Sequence, residues 1–174
     1  MSLIGRIVKR VMIAPRVKRL TWEQLCSGAA ATRERFEALI ADETEESASV
    51  AARGAMSVKD TLVHLAVANR AIAGRLDALR TGRKVDGDTP DLFPGAEGKS
   101  LEEVRCDFSE SWRVLADSAS RKVTSSELTP HPFFGPMSAA EWVALVAVHH
   151  EYHIRRVDRV KQSEEYRSVR GAGW

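Results

Sequence analysis

Two imidazoles four residues apart, His149 and His153 in Val148-His149-His150-Glu151-Tyr152-His153, are the residues of this chain best spaced to do chemistry together. On an α-helix, positions i and i+4 share a face with Cβ atoms about 6 Å apart, so both rings can reach one cation without distorting the backbone. A third imidazole, His64, lies in another predicted helix. Three imidazole nitrogens on one divalent ion leave a coordination position open to water or substrate, the arrangement of a catalytic rather than a sealed structural metal. The alternative for any one of them is a core histidine hydrogen-bonded to a carboxylate or carbonyl, and HxxxH arises often by chance. Two buried rings at i, i+4 fit that alternative less well, because each needs its own interior partner.

The elements that must position them are written in one grammar. A hydroxyl residue followed three positions later by an acid or amide can satisfy orphan N–H groups at a helix start, and this pattern occurs at Thr21 to Gln24, Ser57 to Asp60, Ser100 to Glu103 and Ser138 to Glu141. Each precedes a proline-free stretch with apolar residues at i, i+3 and i+4, which predicts helices at approximately 22–42, 58–81, 101–121 and 139–163. Between them, 82–99 and 123–137 are rich in glycine and proline. Both connections are longer than an antiparallel helical hairpin needs. The second helix can therefore reach the third by a crossover, leaving the two parallel in an all-α four-helix bundle. No internal repeat and no alternating strand pattern is visible.

On the last helix, taking His149 as zero, Trp142 falls at about +20°, Leu145 at −40°, Val146 at +60°, Tyr152 at −60°, His153 at +40° and Arg156 at −20°. His149 and His153 thus lie on the core stripe, and His150, at about 100°, is expected at its solvated margin. Arg156 could hold an anionic group at the mouth of a pocket, or could snorkel to solvent at the bundle end. Glu151, at about −160°, is expected to face water. On the second helix His64 lies about 100° from Leu65, beside the apolar stripe, with small neighbours (Thr61, Ala68 and Ala71) that let another helix approach.

Composition and charge bound the rest. With 174 residues, 44% of them hydrophobic and 29% charged, the chain suits one globular domain, and a net charge of +2 gives no argument for nucleic acid. Cys26 and Cys106 are far apart and in no CxxC pair, so both are expected reduced and buried in a cytoplasmic protein. Residues 1–20 carry Arg6, Lys9, Arg10, Arg16, Lys18 and Arg19 with no acidic residue, and Ile4, Ile7, Val8 and Val11 at helical spacing. This is a basic amphipathic arm, interrupted by Pro15, with no apolar run long enough for a secretory signal or a bilayer span. It could contact an anionic membrane surface or a protein partner, or pack on its own domain. The expected division is an arm over 1–20, a bundle over 21–165 and a tail over 166–174.

The segment from Met56-Ser57 through Leu62-Val63-His64 resembles the second-helix opening of the DinB/YfiT-like superfamily of four-helix metal-binding domains. His131-Pro132-Phe133-Phe134-Gly135-Pro136-Met137-Ser138, then Glu141-Trp142 and His149-xxx-His153, resembles the loop and last helix of that family. The resemblance covers roughly residues 20 to 163. It implies a bundle with the long second connection, and His64, His149 and His153 as ligands of a divalent metal. Zinc or nickel best suits three neutral imidazoles, with iron and manganese also compatible. Relatives include enzymes that transfer low-molecular-weight thiols and proteins assigned to metal-dependent hydrolysis, and many form homodimers. The resemblance therefore implies a small-molecule substrate and a thiol or a water at the open position, with Tyr152, Arg156 and Glu151 as candidate neighbours of the site and no side chain singled out as the catalytic one. A non-catalytic metal-binding bundle that docks through its arm is the other expectation. Met56 stands where the family usually has Trp, Arg156 where many relatives have Gln, and residues 1–20 have no counterpart in the family pattern.

Overall fold

The computed structural model describes residues 3–52, 54–85 and 95–171. In chain order these form α1 (Leu3–Val8), a π-helical turn (Lys9–Ile13), α2 (Ala14–Arg19), α3 (Trp22–Leu39), α4 (Glu45–Ala48), α5 (Val58–Thr81), α6 (Leu101–Ser120), a hairpin of β1 (Thr129–His131) and β2 (Gly135–Met137), α7 (Ala139–Lys161) and α8 (Glu164–Gly171). The four long helices start where the capping residues predict. At Thr21, Ser100 and Ser138 the side chain accepts from the third backbone N–H while that residue's side chain bonds back to the cap. Such caps contribute about 1 kcal/mol each. At Ser57 only the first half of the exchange forms. Asp60, one methylene shorter than Glu, instead takes the Ser57 hydroxyl at 2.7 Å and the Ala96 N–H at 2.9 Å, tying the start of α5 to the approach to α6.

The contacts fix the helix directions. Asp60 meets Ala96, Arg70 pairs with Asp107 at 2.5 Å, and Ser118 bonds Asp77 at 2.7 Å, so residue numbers rise together and α5 and α6 run parallel. Parallel neighbours require the crossover expected between them, of which positions 86–94 lie outside the described residues. The contact of Arg75 with Trp142 at one end and of His64 with His149 further along makes α7 antiparallel to α5. Pairing of Arg35 with Glu151 and of Lys161 with the Leu39 carbonyl makes α7 parallel to α3. The result is an up-down-down-up bundle, with α5 buried on most of its circumference.

The apolar core has two parts. One gathers Trp22, Ile72, Leu76, Trp112, Trp142 and Val146; the other gathers Phe36, Leu62, Leu65, Val104, Phe108 and Val157. Between them along α5, α6 and α7 lies a polar layer of His64, Asn69, Ser111, His149, His150 and His153. His150 is fully buried rather than solvated: its Nε2 lies 3.3 Å from Asn69 Oδ1, and its ring sits against Phe108 and Trp112. The expectation failed because α7 packs on both α3 and α5, which widens its buried arc past the single stripe that a surface helix would show.

Three further differences have local causes. The hairpin, with Thr129 opposite Met137 and His131 opposite Gly135, has strands of three residues, too short to show alternation in a proline-bearing sequence. Residues 164–171, expected beyond the last helix at the end of the bundle and in the tail, form α8, held by buried Tyr166, whose hydroxyl donates to Glu43 at 2.6 Å. The Glu43 side chain is fully buried and also accepts from Ser47 at 2.6 Å and pairs with Lys161 at 2.8 Å. Cys106 is exposed and Cys26 half-buried, both as free thiols, against the expectation that both are buried. Burial pushes the Cys26 thiol up, so it is not an activated nucleophile.

The arm packs along one side of the bundle. Ile13 is fully buried, Met12 and Val17 meet the first apolar cluster, and Lys9 bridges to Glu141 at 3.1 Å and to the Pro136 carbonyl. Pro15 does not end the helix: it sits in the first turn of α2, where a missing N–H is tolerated, and the turn before it widens to π geometry.

Two stability predictions follow from these contacts. Glu43→Ala strips three donors of their shared acceptor at the joint of α3, α4 and α8, and is expected to cost about 3 kcal/mol in urea unfolding. The His131 Nδ1 accepts the Phe133 and Phe134 N–H groups at 3.0 and 3.3 Å, and burial, with Arg75 and Lys9 nearby, pushes its pKa down to about 4. The unfolded chain then binds the proton more readily, so this contribution is complete above about pH 6.5 and is lost as pH falls towards 4. After allowance for partial exposure it amounts to about 2 kcal/mol. Unfolding midpoints measured across this range should show a shallower pH dependence in His131→Asn, whose amide oxygen can take over the acceptor role.

Candidate metal centre

His64, on the second turn of α5, faces the middle of α7, where His149 and His153 stand one turn apart. The antiparallel packing brings the three rings together: His149 Nε2 lies 3.0 Å from His64 Nε2 and 3.1 Å from His153 Nε2. The ring planes of His149 stand at 77° to His64 and 84° to His153, so edges converge rather than faces stack. One ligand nitrogen from each ring falls within 4.8 Å of the others.

That geometry fits a metal. Two nitrogens about 2.0–2.1 Å from a tetrahedral ion stand roughly 3.4 Å apart, close to both measured separations. The donor chemistry fits as well: three neutral nitrogens leave the charge of a divalent ion uncompensated, which favours acidification of whatever fills the next position. Burial first, then the neighbouring imidazoles, hold His149 well below its ordinary pKa, and burial with His64, His150 and Arg156 nearby pushes His153 down to about 3. These two rings are therefore neutral near pH 7, and a cation need not displace a second proton from either.

His64 and His153 are each 4% exposed, and His149 is partly exposed. His64, beside the stripe in the sequence, is fully inside because α5 is the most enclosed helix and has no single buried stripe. The expected neighbours are placed differently. Tyr152 is half exposed, with its ring edge-on to His153 at 5.1 Å and its hydroxyl accepting from Arg156 at 2.9 Å. Arg156 also donates to the Gly54 carbonyl at 2.7 Å, clipping the lead into α5 onto α7. The two residues thus bond to each other and to a loop, at the rim of the histidine cluster. Glu151, expected to face water, turns towards α3 and pairs with Arg35 at 2.9 Å and Arg155 at 3.6 Å.

The polar chain below the site was not legible as a unit. His150 donates to Asn69, Asn69 to Ser111 at 3.2 Å, and Ser111 to the Phe108 carbonyl at 2.7 Å. An asparagine within the apolar run of the second helix was the available signal, since a buried amide must find partners. Burial, with Arg33 nearby, pushes the His150 pKa down to about 4, so that ring too is neutral beside the cluster.

Comparison with known proteins agrees with this architecture. The chain is similar to a solved structure described as TT2238, a four-helix bundle protein, with 23% identity, 80% of this chain and 99% of that chain covered, and a TM-score of 0.65. At that identity the likeness concerns the fold. A comparison with functionally characterised proteins gives no match. The family model of the DinB superfamily matches residues 29–157, a span that takes in the three histidines and the helices that carry them, and the chain belongs to the DinB superfamily.

Proposed function

We propose that the chain is a metal-dependent enzyme whose ion is held by His64, His149 and His153, and that it activates a low-molecular-weight thiol for transfer to an electrophilic substrate. The observation that carries this reading is the meeting of three imidazole nitrogens, 3.0 and 3.1 Å apart at His149. A divalent ion held there, best zinc or nickel, would supply Lewis acidity and lower the pKa of a thiol or water that it binds. The protein's own share is positioning and exclusion. The two apolar clusters hold α5 and α7 in register and keep water from the buried side of the rings. Arg156, half-buried at the rim beside Tyr152, offers a fixed positive charge to an anionic part of a substrate.

A thiol is favoured over water by the state of the acid on the same helix. Hydrolysis at such a centre commonly uses a carboxylate as general base. Glu151 is adjacent in sequence but is engaged by Arg35 and Arg155. A thiol is far more acidic than water, so beside a bound divalent ion it would lose its proton to solvent near pH 7 and would ask less of a side-chain base than water would.

Protein purified without a histidine tag should carry about one divalent ion per chain by elemental analysis, and His64→Ala, His149→Ala or His153→Ala should each weaken zinc or nickel binding by on the order of a hundredfold. Absence of bound metal together with no thermal stabilisation by added zinc or nickel would overturn the site. The loaded protein should then consume cysteine or glutathione in the presence of an alkyl halide test substrate, and His149→Ala should abolish that rate. Metal-dependent ester hydrolysis without thiol consumption would replace the transferase reading with a hydrolase, and metal binding with neither rate would leave a non-catalytic domain.

A further inference from the structure

The metal centre makes no use of the N-terminal arm, and the bundle covers only one of its sides. Ile13 is fully buried and Lys9 is tied to Glu141, yet Ile4 is 74% exposed, Ile7 55% and Val11 65%. These three share an outward row at i, i+3 and i+7. Arg6 and Arg10 beside that row, and Lys18 and Arg19 beyond it, are exposed, and among the described residues none of these four forms an ion pair. The arm has six basic residues and no acidic one.

We propose that this outward face of residues 3–19 docks the protein on an anionic lipid surface, lying in the plane of the headgroups. An interfacial helix needs a narrow apolar row that enters the headgroup–acyl boundary and cationic side chains beside it that reach phosphates. The arm presents both, already folded, because Ile13, Met12, Val17 and Lys9 anchor its opposite side. Three aliphatic side chains offer on the order of half of the roughly 800 Å² per partner that a standard protein interface buries. A second copy seated on the same row would set Arg6 and Arg10 against their own counterparts with no acidic residue of the arm to relieve them. Among the described residues no helix is long and apolar enough to cross a membrane, so the association is peripheral.

The test is co-sedimentation of the full chain with vesicles of phosphatidylcholine and with vesicles in which part of that lipid is replaced by phosphatidylglycerol. Binding is expected only to the anionic vesicles and should weaken with added salt. The Arg6→Glu, Arg10→Glu double variant should lose about fivefold or more per altered charge. The Ile4→Ser, Ile7→Ser, Val11→Ser triple variant should lose binding even at low salt, with circular dichroism unchanged because all three positions are solvent-exposed. Failure to bind anionic vesicles, or binding that neither variant weakens, would overturn the proposal. So would a dimer in solution that the triple serine variant converts to monomer, since the row would then belong to a second copy.

Discussion

The meeting of three imidazole nitrogens around His149 is the interaction that most constrains this molecule. The His64 and His149 nitrogens, 3.0 Å apart in a buried layer, leave little freedom in how α5 lies along α7. A slip of one helical turn, about 5.4 Å, would carry the His64 nitrogen out of reach of His149 and leave that buried nitrogen without its partner. Burying a polar group in that state costs about 1–3 kcal/mol. The bundle meets the constraint by placing a close-packed cluster on each side of the histidine layer, one around Trp112 and Trp142 and one around Phe36 and Phe108. Close packing makes the register a discrete choice rather than a sliding one.

The crossover serves the same end. If α5 turned directly into α6 through a short loop, the two would be antiparallel, and the chain would lay its polar layer across different residues. With α5 and α6 parallel, Asn69 meets Ser111 and Ser118 meets Asp77, so the interior bonds climb the two helices in step. The third side of α5 is then free for α7, and the most enclosed helix is the one that contributes a single histidine to the cluster.

Polar anchors close the ends of the bundle where apolar packing stops. Glu43 gathers Ser47, Tyr166 and Lys161, joining the turn after α3 to the C-terminal helix. At the other end Trp142 donates to Thr129 at 2.7 Å, Arg75 covers the Trp142 ring at 4.9 Å, and His131 organises the hairpin that precedes α7. Because α7 carries both a hairpin-anchored start and two of the three converging histidines, its placement couples the stability of that loop to the geometry of the centre.

Residues close together in the chain were enough to predict the four long helices, their capping residues and the shared face of His149 and His153, because capping and i, i+4 geometry act within one or two turns. Connection lengths were enough to suggest the crossover. Which imidazoles are buried was a different matter. The helical wheel placed His64 beside the stripe and His150 at its solvated margin, since it assumes one buried stripe, whereas α5 and α7 are each covered by more than one neighbour. The destinations of Glu43, Glu151 and Arg156 likewise depended on partners more than 100 residues away, as in Glu43 with Tyr166, Glu151 with Arg35 and Arg156 with the Gly54 carbonyl. Short-range hydrogen bonding and periodicity are written locally, so the sequence by itself determined the helices and the shared face of His149 and His153. Burial and register are properties of helix pairs, and only the tertiary structure decided which nitrogens meet and which face of the arm stays bare.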